Sequence, residues 1–322
     1  MPAAQPKPRP APQHTASTAA GPSGEPVVRV HGLRYTYPDG TALDYGEATL
    51  EIRPRQRTVV LGPNGSGKST LLLHVLGLLE PQAGEVTVLG RAAHQLRPEE
   101  RVALAALLQQ VDEQLIGPTV WDDVAFAPRN LGLPAAEVDR LVARALRRVG
   151  ISHLARRVVH ALSVGEKQKV AAAGAIVFSD GARFGPKLLV MDEPFAALDP
   201  RSRTGLLALI DELRRDHGTA VLLTTHFVHT VPEFADWVCV LAPGGRIAAQ
   251  GTPAEVFGRP EILEQLDIEP PVLSQLFRSL EQRGISLPPP LSIEHAADLL
   301  ASHCRPGGRR IPEAATRRRP AD

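Results

Sequence analysis

Short runs of aliphatic and β-branched residues, separated by Gly, Pro and Asp, recur along the chain from Val27 onward. Runs of this length and texture predict strands at 27–30, 58–61, 85–89, 188–191, 220–224 and 237–241. Between them the apolar spacing changes to a helical period. Val138, Leu141, Val142, Ala145, Leu146 and Val149 lie on one helical face that Gly150 closes, and Leu206, Leu207, Leu209, Ile210 and Leu213 form a second such face that ends before Gly218. Strands alternating with helices predict an α/β fold around a mostly parallel sheet. After Thr252 the strand texture stops. Val272, Leu273, Leu276, Phe277 and Leu280 then mark one amphipathic helix, and Ile293, Ala296, Ala297 and Leu300, with Ser292 as its cap, mark another. These predict a small helical appendage over 258–304. No internal repeat interrupts this order.

The ends read differently. Seven prolines fall among Ala, Ser and Gly in the first 26 residues, with no apolar core and cleavage site of a signal peptide, so 1–26 is expected to be a disordered tail. Residues 305–322 carry six arginines broken by Pro and Gly, either a solvated tail or a basic one that touches anionic lipid headgroups.

Composition narrows the function classes. The 322 residues suggest about two domains, and a net charge of +1 with 43% hydrophobic residues argues against a disordered chain or a surface devoted to gripping nucleic acid. The apolar stretches 71–79 and 102–108 fall short of the ~18 residues that span a bilayer. Cys239 and Cys304 stand far apart and outside any C-x-x-C pair, which fits a reducing cytosol and suggests neither a disulfide scaffold nor a zinc site. His303-Cys304 is read as incidental.

Candidate chemistry starts at Gly62-Pro63-Asn64-Gly65-Ser66-Gly67-Lys68-Ser69-Thr70, which satisfies G-x-x-x-x-G-K-[ST] directly after a predicted strand and before the apolar helical run 71–76. Backbone N–H groups of a Gly-rich loop, backed by a helix N-terminus, surround phosphate oxygens; Lys68 adds a point charge and the Ser69 hydroxyl can ligate Mg²⁺. The chain has 5 lysines against 31 arginines by sequence, so a lysine here is not its default base. Farther on, the buried-strand run 188–191 ends in Asp192-Glu193-Pro194, where carboxylates of a parallel sheet face the ligand crevice. Asp192 is expected to hold Mg²⁺ and Glu193 to orient or deprotonate water. The run 221–223 is followed by Thr224-Thr225-His226 at the same expected edge, placing His226 to donate to charge that develops on a γ-phosphate.

With these elements the sequence resembles an ATP-binding cassette (ABC) ATPase over about residues 27–257. Leu162-Ser163-Val164-Gly165-Glu166 is similar to the signature L-S-G-G-Q, with Val164 and Glu166 departing from it, and Ala197-Leu198-Asp199 resembles the D-loop. Gln109 matches the Q-loop glutamine and Tyr37 the aromatic that stacks on adenine. The resemblance implies a P-loop NTPase cassette: a RecA-like core sheet, a β subdomain, a helical signature subdomain at about 110–180, and the C-terminal extension. It implies ATP and Mg²⁺ as ligands, Ser69, Gln109 and Asp192 around the metal, and Glu193, His226 and Gln109 as the catalytic set. It also implies a second cassette, identical or different, arranged head to tail so that Ser163, Val164, Gly165 and Glu166 serve the partner's ATP.

Finer features are similar to the ATPases of energy-coupling-factor importers, especially the cobalt type: Tyr37-Pro38-Asp39-Gly40 with Ala42-Leu43, then Asp112-Glu113-Gln114-Leu115, the stretch 118–126, and Asn130-Leu131-Gly132-Leu133-Pro134. That likeness implies transmembrane partner subunits, a place on the cytoplasmic face of the membrane, and a docking surface over 110–134. Leu115, Ile116, Val120, Trp121 and Phe126 are expected to be partly exposed there. The cargo expected from the likeness is cobalt or nickel, or a vitamin. The competing classes are another transporter type, including an exporter, and an ABC protein of nucleic-acid metabolism; one cassette without sustained heptads argues against the latter, so no nucleic acid is expected. The loop 179–185 is longer than this pattern leads one to expect, and no role attaches to it.

Overall fold

The computed structural model describes residues 24–179, 185–196 and 198–303. Most of the expected N-terminal tail (1–23), the tail 305–322, Cys304, Ala197 of the D-loop and the loop interior 180–184 lie outside the described residues. The strands are β1 (Val28–Thr36), β2 (Ala42–Asp44), β3 (Thr49–Ile52), β4 (Arg57–Leu61), β5 (Ala83–Val88), β6 (Arg91–Ala92), β7 (Leu104–Leu107), β8 (Leu188–Asp192), β9 (Ala220–Thr224), β10 (Trp237–Leu241) and β11 (Ile247–Gly251). The α-helices are α1 (Lys68–Val75), α2 (Pro98–Arg101), α3 (Val111–Gln114), α4 (Val120–Asn130), α5 (Ala135–Arg148), α6 (Val164–Ile176), α7 (Pro200–His217), α8 (Val231–Phe234), α9 (Pro253–Phe257), α10 (Pro260–Glu264), α11 (Val272–Glu281) and α12 (Ile293–His303).

Two sheets organise the chain. The larger runs β11-β10-β4-β9-β8-β7, parallel except for β11, which turns back antiparallel on β10. Its central strands β4, β8 and β9 are buried at every position but Arg57, because both faces are covered. Alternate residues feed separate cores: Val59, Leu61, Leu189, Met191, Val221 and Leu223 pack into one, and Val60, Leu188, Val190, Ala220 and Leu222 into the other. Cys239 belongs to the second core and its thiol is pushed up to about 12 by burial. The smaller sheet, β2-β1-β5-β6 with β3 also on β1, is antiparallel and shares that second core through Val28, Val30, Leu50, Ile52, Val86 and Val88.

Helices α4, α5 and α6 pack together on the first core. The predicted face of α5 is the buried one (Val138, Leu141, Val142, Ala145, Leu146), and Gly150 ends the helix at φ 74°. Gly218 does the same for α7 at φ 68°. At α12, Ser292 Oγ accepts from the His295 N–H at 3.1 Å, as the sequence predicts. The strand at 27–30 is longer than its apolar run suggests, because β1 continues to Thr36 to pair with β2 and β5. The apolar stretch 102–108 is the edge strand β7.

Candidate functional site

Strand β4 lies between β9 and β10, so the loop leaving it emerges at the middle of the parallel sheet's C-terminal edge. The loop's glycines are required by geometry at two places. A Cβ on Gly62 would collide with Ser66 Oγ and lie 2.7 Å from the Leu241 carbonyl oxygen. Gly67, the N-cap of α1, sits at φ 88°, where a Cβ would lie 2.7 Å from Tyr45 Oη. No side chain caps α1, so its first N–H groups are left to a ligand. Lys68 Nζ donates to the Gly62 carbonyl at 2.8 Å and to that of Pro63 at 2.9 Å, which holds the ammonium across the loop. Burial lowers the pKa of Lys68, and the nearby carboxylates of Glu193 and Asp192 work against that.

Both carboxylates come from the end of β8. The buried Asp192 accepts from Thr224 Oγ1 at 2.5 Å. Glu193 adopts φ 50°, and its N–H donates to the same Thr224 oxygen at 3.0 Å. The left-handed turn brings Glu193 Oε2 within 3.0 Å of the His226 N–H. Glu193 Oε1 lies 3.1 Å from His226 Nε2 but without hydrogen-bond alignment, and so is a buried oxygen lacking a hydrogen-bond partner. Burial raises the Glu193 pKa above the ordinary carboxylate range, against the opposing pull of His226. A cavity of about 200 Å³ gathers these groups: Asn64, Gly65, Gly67, Lys68, Ser69, Thr70, Gln109, Asp192, Glu193 and His226 line it.

The remaining predicted residues stand elsewhere. Gly62 and Pro63 line a neighbouring cavity with Asn64 and His226, and Ser66 is buried within the loop. Tyr37 is attached to the rim: its hydroxyl shares a 2.9 Å hydrogen bond with Thr70 Oγ1, and its ring meets Tyr35 edge to face at 5.0 Å. Ser163 is the N-cap of α6 and forms a capping box with Glu166, whose Oε2 accepts from the Ser163 N–H and from its hydroxyl, both at 2.8 Å. Those bonds hold the Glu166 carboxyl below its usual pKa. Val164 is exposed, and none of the signature residues lines the cavity. Asp199 caps α7, accepting from Ser202 N–H at 2.9 Å and from Ser202 Oγ at 2.7 Å, and is likewise not a lining residue.

One expectation needs correction. Leu115 and Val120 are buried rather than partly exposed, because α4 turns its apolar face into the first core and α3 folds over that core's edge. Exposure in this segment falls on Ile116 (61%) and Phe126 (47%). Both line an open groove of about 580 Å³ with Val102, Leu104, Ala127 and Leu131. Two supporting residues were missed by sequence reasoning. Tyr45 donates from its buried hydroxyl to the Gly67 carbonyl at 2.7 Å, pinning the loop where α1 begins; no local pattern marks it. Thr224 carries a signal, a hydroxyl residue closing an apolar strand, to which the sequence alone attaches no role.

The ABC transporter family matches residues 45–196. The energy-coupling factor transporter ATP-binding protein EcfA of Methanothermobacter thermautotrophicus is 38% identical over 271 residues, 83% of this chain and 84% of that protein. EcfA of Methanoculleus marisnigri is 41% identical over 72% of this chain and 82% of its own length. Among solved structures, cbiO1 from Clostridium perfringens, described as part of the ABC transporter complex cbiONQ, superposes with a TM-score of 0.63 at 33% identity, covering 79% of this chain and 100% of that one. With a phosphate loop on the central strand, an acidic pair on the next strand but one and a second, antiparallel sheet, the chain belongs to the ABC transporter family as one of its ATP-hydrolysing subunits, of the P-loop cassette fold with a helical C-terminal extension.

Proposed function

We propose that this chain is the ATPase of an energy-coupling-factor importer, a peripheral subunit on the cytoplasmic face of the membrane that drives uptake of cobalt or nickel, or of a vitamin. The observation that carries the reading is the convergence of Lys68, Asp192, Glu193 and His226 on one cavity at the sheet edge. The names of the relatives support an energy-coupling factor transporter, and the cobalt-type likeness of 37–40, 42–43, 112–115, 118–126 and 130–134 supports import and the cargo. Among the described residues no helix is long and apolar enough to cross a membrane, which suits a subunit that relies on transmembrane partners. The cassette is assigned to 27–257, with its helical subdomain at about 110–180, and the extension to 258–304.

The chemistry follows from the lining. The loop amides and Lys68 bind the β- and γ-phosphates. Ser69, Gln109 and Asp192 line the same cavity, and their hard oxygen donors suit Mg²⁺, which when bound would neutralise charge on the phosphates. Glu193, whose buried Oε1 makes no hydrogen bond, accepts the proton of the attacking water as the water oxygen bonds to the γ-phosphorus and the bond from that phosphorus to ADP breaks. His226 donates to the γ-phosphate oxygens, and Tyr37 stacks on adenine. A second cassette, of the same or another kind, presents its Ser163, Val164, Gly165 and Glu166 across the nucleotide, with Asp199 at the joint. The groove beside Ile116 and Phe126 receives a helix of the transmembrane subunit.

The test is co-expression with transmembrane subunits of an energy-coupling-factor importer. Glu193→Gln should bind ATP yet lose about 10² to 10⁴ of turnover, and Ile116→Asp should lose capture of the membrane subunits while keeping ATP affinity. Turnover of Glu193→Gln within about threefold of wild type would remove Glu193 as base. Unchanged capture by Ile116→Asp would remove the groove as docking site.

A further inference from the structure

The turn that carries Glu193 raises a question the lining residues do not answer. A non-glycine residue at φ 50° is uncommon, and such a conformation persists only where its surroundings hold it. The ladder between β8 and β9 reaches its last pair at Asp192 and Thr224, so the Glu193 N–H lies beyond the sheet. Its partner is a side chain. Thr224, with no exposed surface, accepts that N–H at 3.0 Å and donates its single proton to Asp192 Oδ1 at 2.5 Å. One hydroxyl has one proton and two lone pairs, so a single oxygen serves as acceptor for the turn and donor to the carboxylate.

We propose that Thr224 is a positioning residue for ATP hydrolysis, its hydroxyl setting the Glu193 turn and the Asp192 carboxylate as one unit. The inference rests on the reading of Glu193 and Asp192 given above. Three observations carry it. The hydroxyl bridges two successive residues of the turn, whereas β-branched packing alone would be met by valine. The same strand end supplies His226 two positions later, whose N–H holds Glu193 Oε2 at 3.0 Å, so β9 fixes both the backbone and the carboxylate of Glu193. On the far side of the turn, the buried Gln168 donates from Nε2 to the Pro194 carbonyl at 3.1 Å, so the segment is tied at both ends. Thr224 itself lines neither cavity that reaches the phosphate loop and acts only through Asp192 and Glu193.

The experiment compares Thr224→Val, nearly isosteric without the hydroxyl, with Thr224→Ser, which keeps it, in the full chain assembled with its partners. For Thr224→Val we expect kcat to fall by about tenfold or more with KM for ATP within about threefold, while Thr224→Ser stays within about threefold of wild type. A second readout needs no turnover: the gain in affinity for a non-hydrolysable ATP analogue on adding Mg²⁺ should shrink by about threefold or more in Thr224→Val, with metal-free binding unchanged. Should Thr224→Val fail to fold, Thr224→Ala against Thr224→Ser asks the same question. Wild-type kcat in the hydroxyl-free variant, or equal impairment of the serine variant, overturns the proposal. Glu193→Gln is the control: if it is inactive while Thr224→Val is normal, only the role of Thr224 fails, and if it is active the reading of the site fails first.

Discussion

Two helix N-termini in this molecule are built in opposite ways. Helix α1 starts at a glycine in the left-handed region with no side-chain cap, and its amides open into the cavity of Lys68 and Glu193. Helix α6 starts at Ser163, whose own amide and hydroxyl are engaged by Glu166 and whose oxygen accepts the Glu166 N–H at 3.4 Å. Both ends carry the same partial positive charge. The first is left free for phosphate within the chain. The second is satisfied locally at the Ser163 and Glu166 amides, so what it offers a nucleotide comes from the Val164 and Gly165 amides between them. The contrast is therefore one of degree: α1 leaves its whole first turn to a ligand, and α6 leaves only the amides between its cap and Glu166.

The contrast is open to disruption, most forcefully at α6. On the proposed head-to-tail arrangement, Ser163→Arg removes the cap and fills the space facing the partner's nucleotide, and should cost about a hundredfold or more of ATPase rate in the assembled dimer while ATP binding by the lone chain is unchanged. At α1, Gly67→Ala forces a side chain into the left-handed region at about 1 to 2 kcal/mol and against Tyr45 Oη. ATP affinity should fall by about tenfold in nucleotide titration, with a lower melting temperature. The smallest effect concerns Glu166. Glutamine completes a capping box as well as glutamate does, so Glu166→Gln should keep or raise turnover, by less than about tenfold. A loss beyond about a hundredfold would give the carboxylate a chemical role.

A pH series sharpens the last point. The folded pKa of Glu166 is lowered, so its contribution to the α6 cap is present above the unfolded value of 4.5 and is lost as pH falls through the folded one. The protection factors of the Ser163 and Glu166 amides, taken against intrinsic exchange at each pH, should therefore fall at acidic pH in the wild type and not in Glu166→Gln. Glu193 has the opposite sign. Its pKa is raised by burial, so ionisation opposes folding as pH rises above 4.5, and Glu193→Gln should melt higher than wild type at neutral pH without nucleotide.

The sequence exposes what is local. The phosphate loop, Asp192-Glu193 and His226 each follow an apolar run of strand length, and contiguous letters report the strand and its exit together. The caps at Ser163 and Ser292 are equally local. What stayed hidden depends on distance. Strands β2 and β6 are too short, and β11 too evenly half-buried, to show a period, and they exist because partners hold them in register. Tyr45 reaches Gly67 across 22 positions with no motif to announce it. Leu115 sits among acids and so reads as surface, yet α3 delivers it to the core.

The position of β4 has a consequence for how the molecule is made. Its neighbours in the sheet are β9 and β10, which begin at residues 220 and 237, while β4 itself ends at 61. Arg57 repeats the pattern, meeting Asp211 and Asp236 at 3.1 Å. During synthesis the strand that launches the phosphate loop therefore waits, unpaired in its final sheet, until most of the cassette has left the ribosome. Closing such distant pairings costs chain entropy before any contact rewards it, and it leaves an aggregation-exposed strand in the interval. Competence to hold nucleotide arrives late, so a nascent chain released before about residue 241 should carry the whole motif and bind nothing with it.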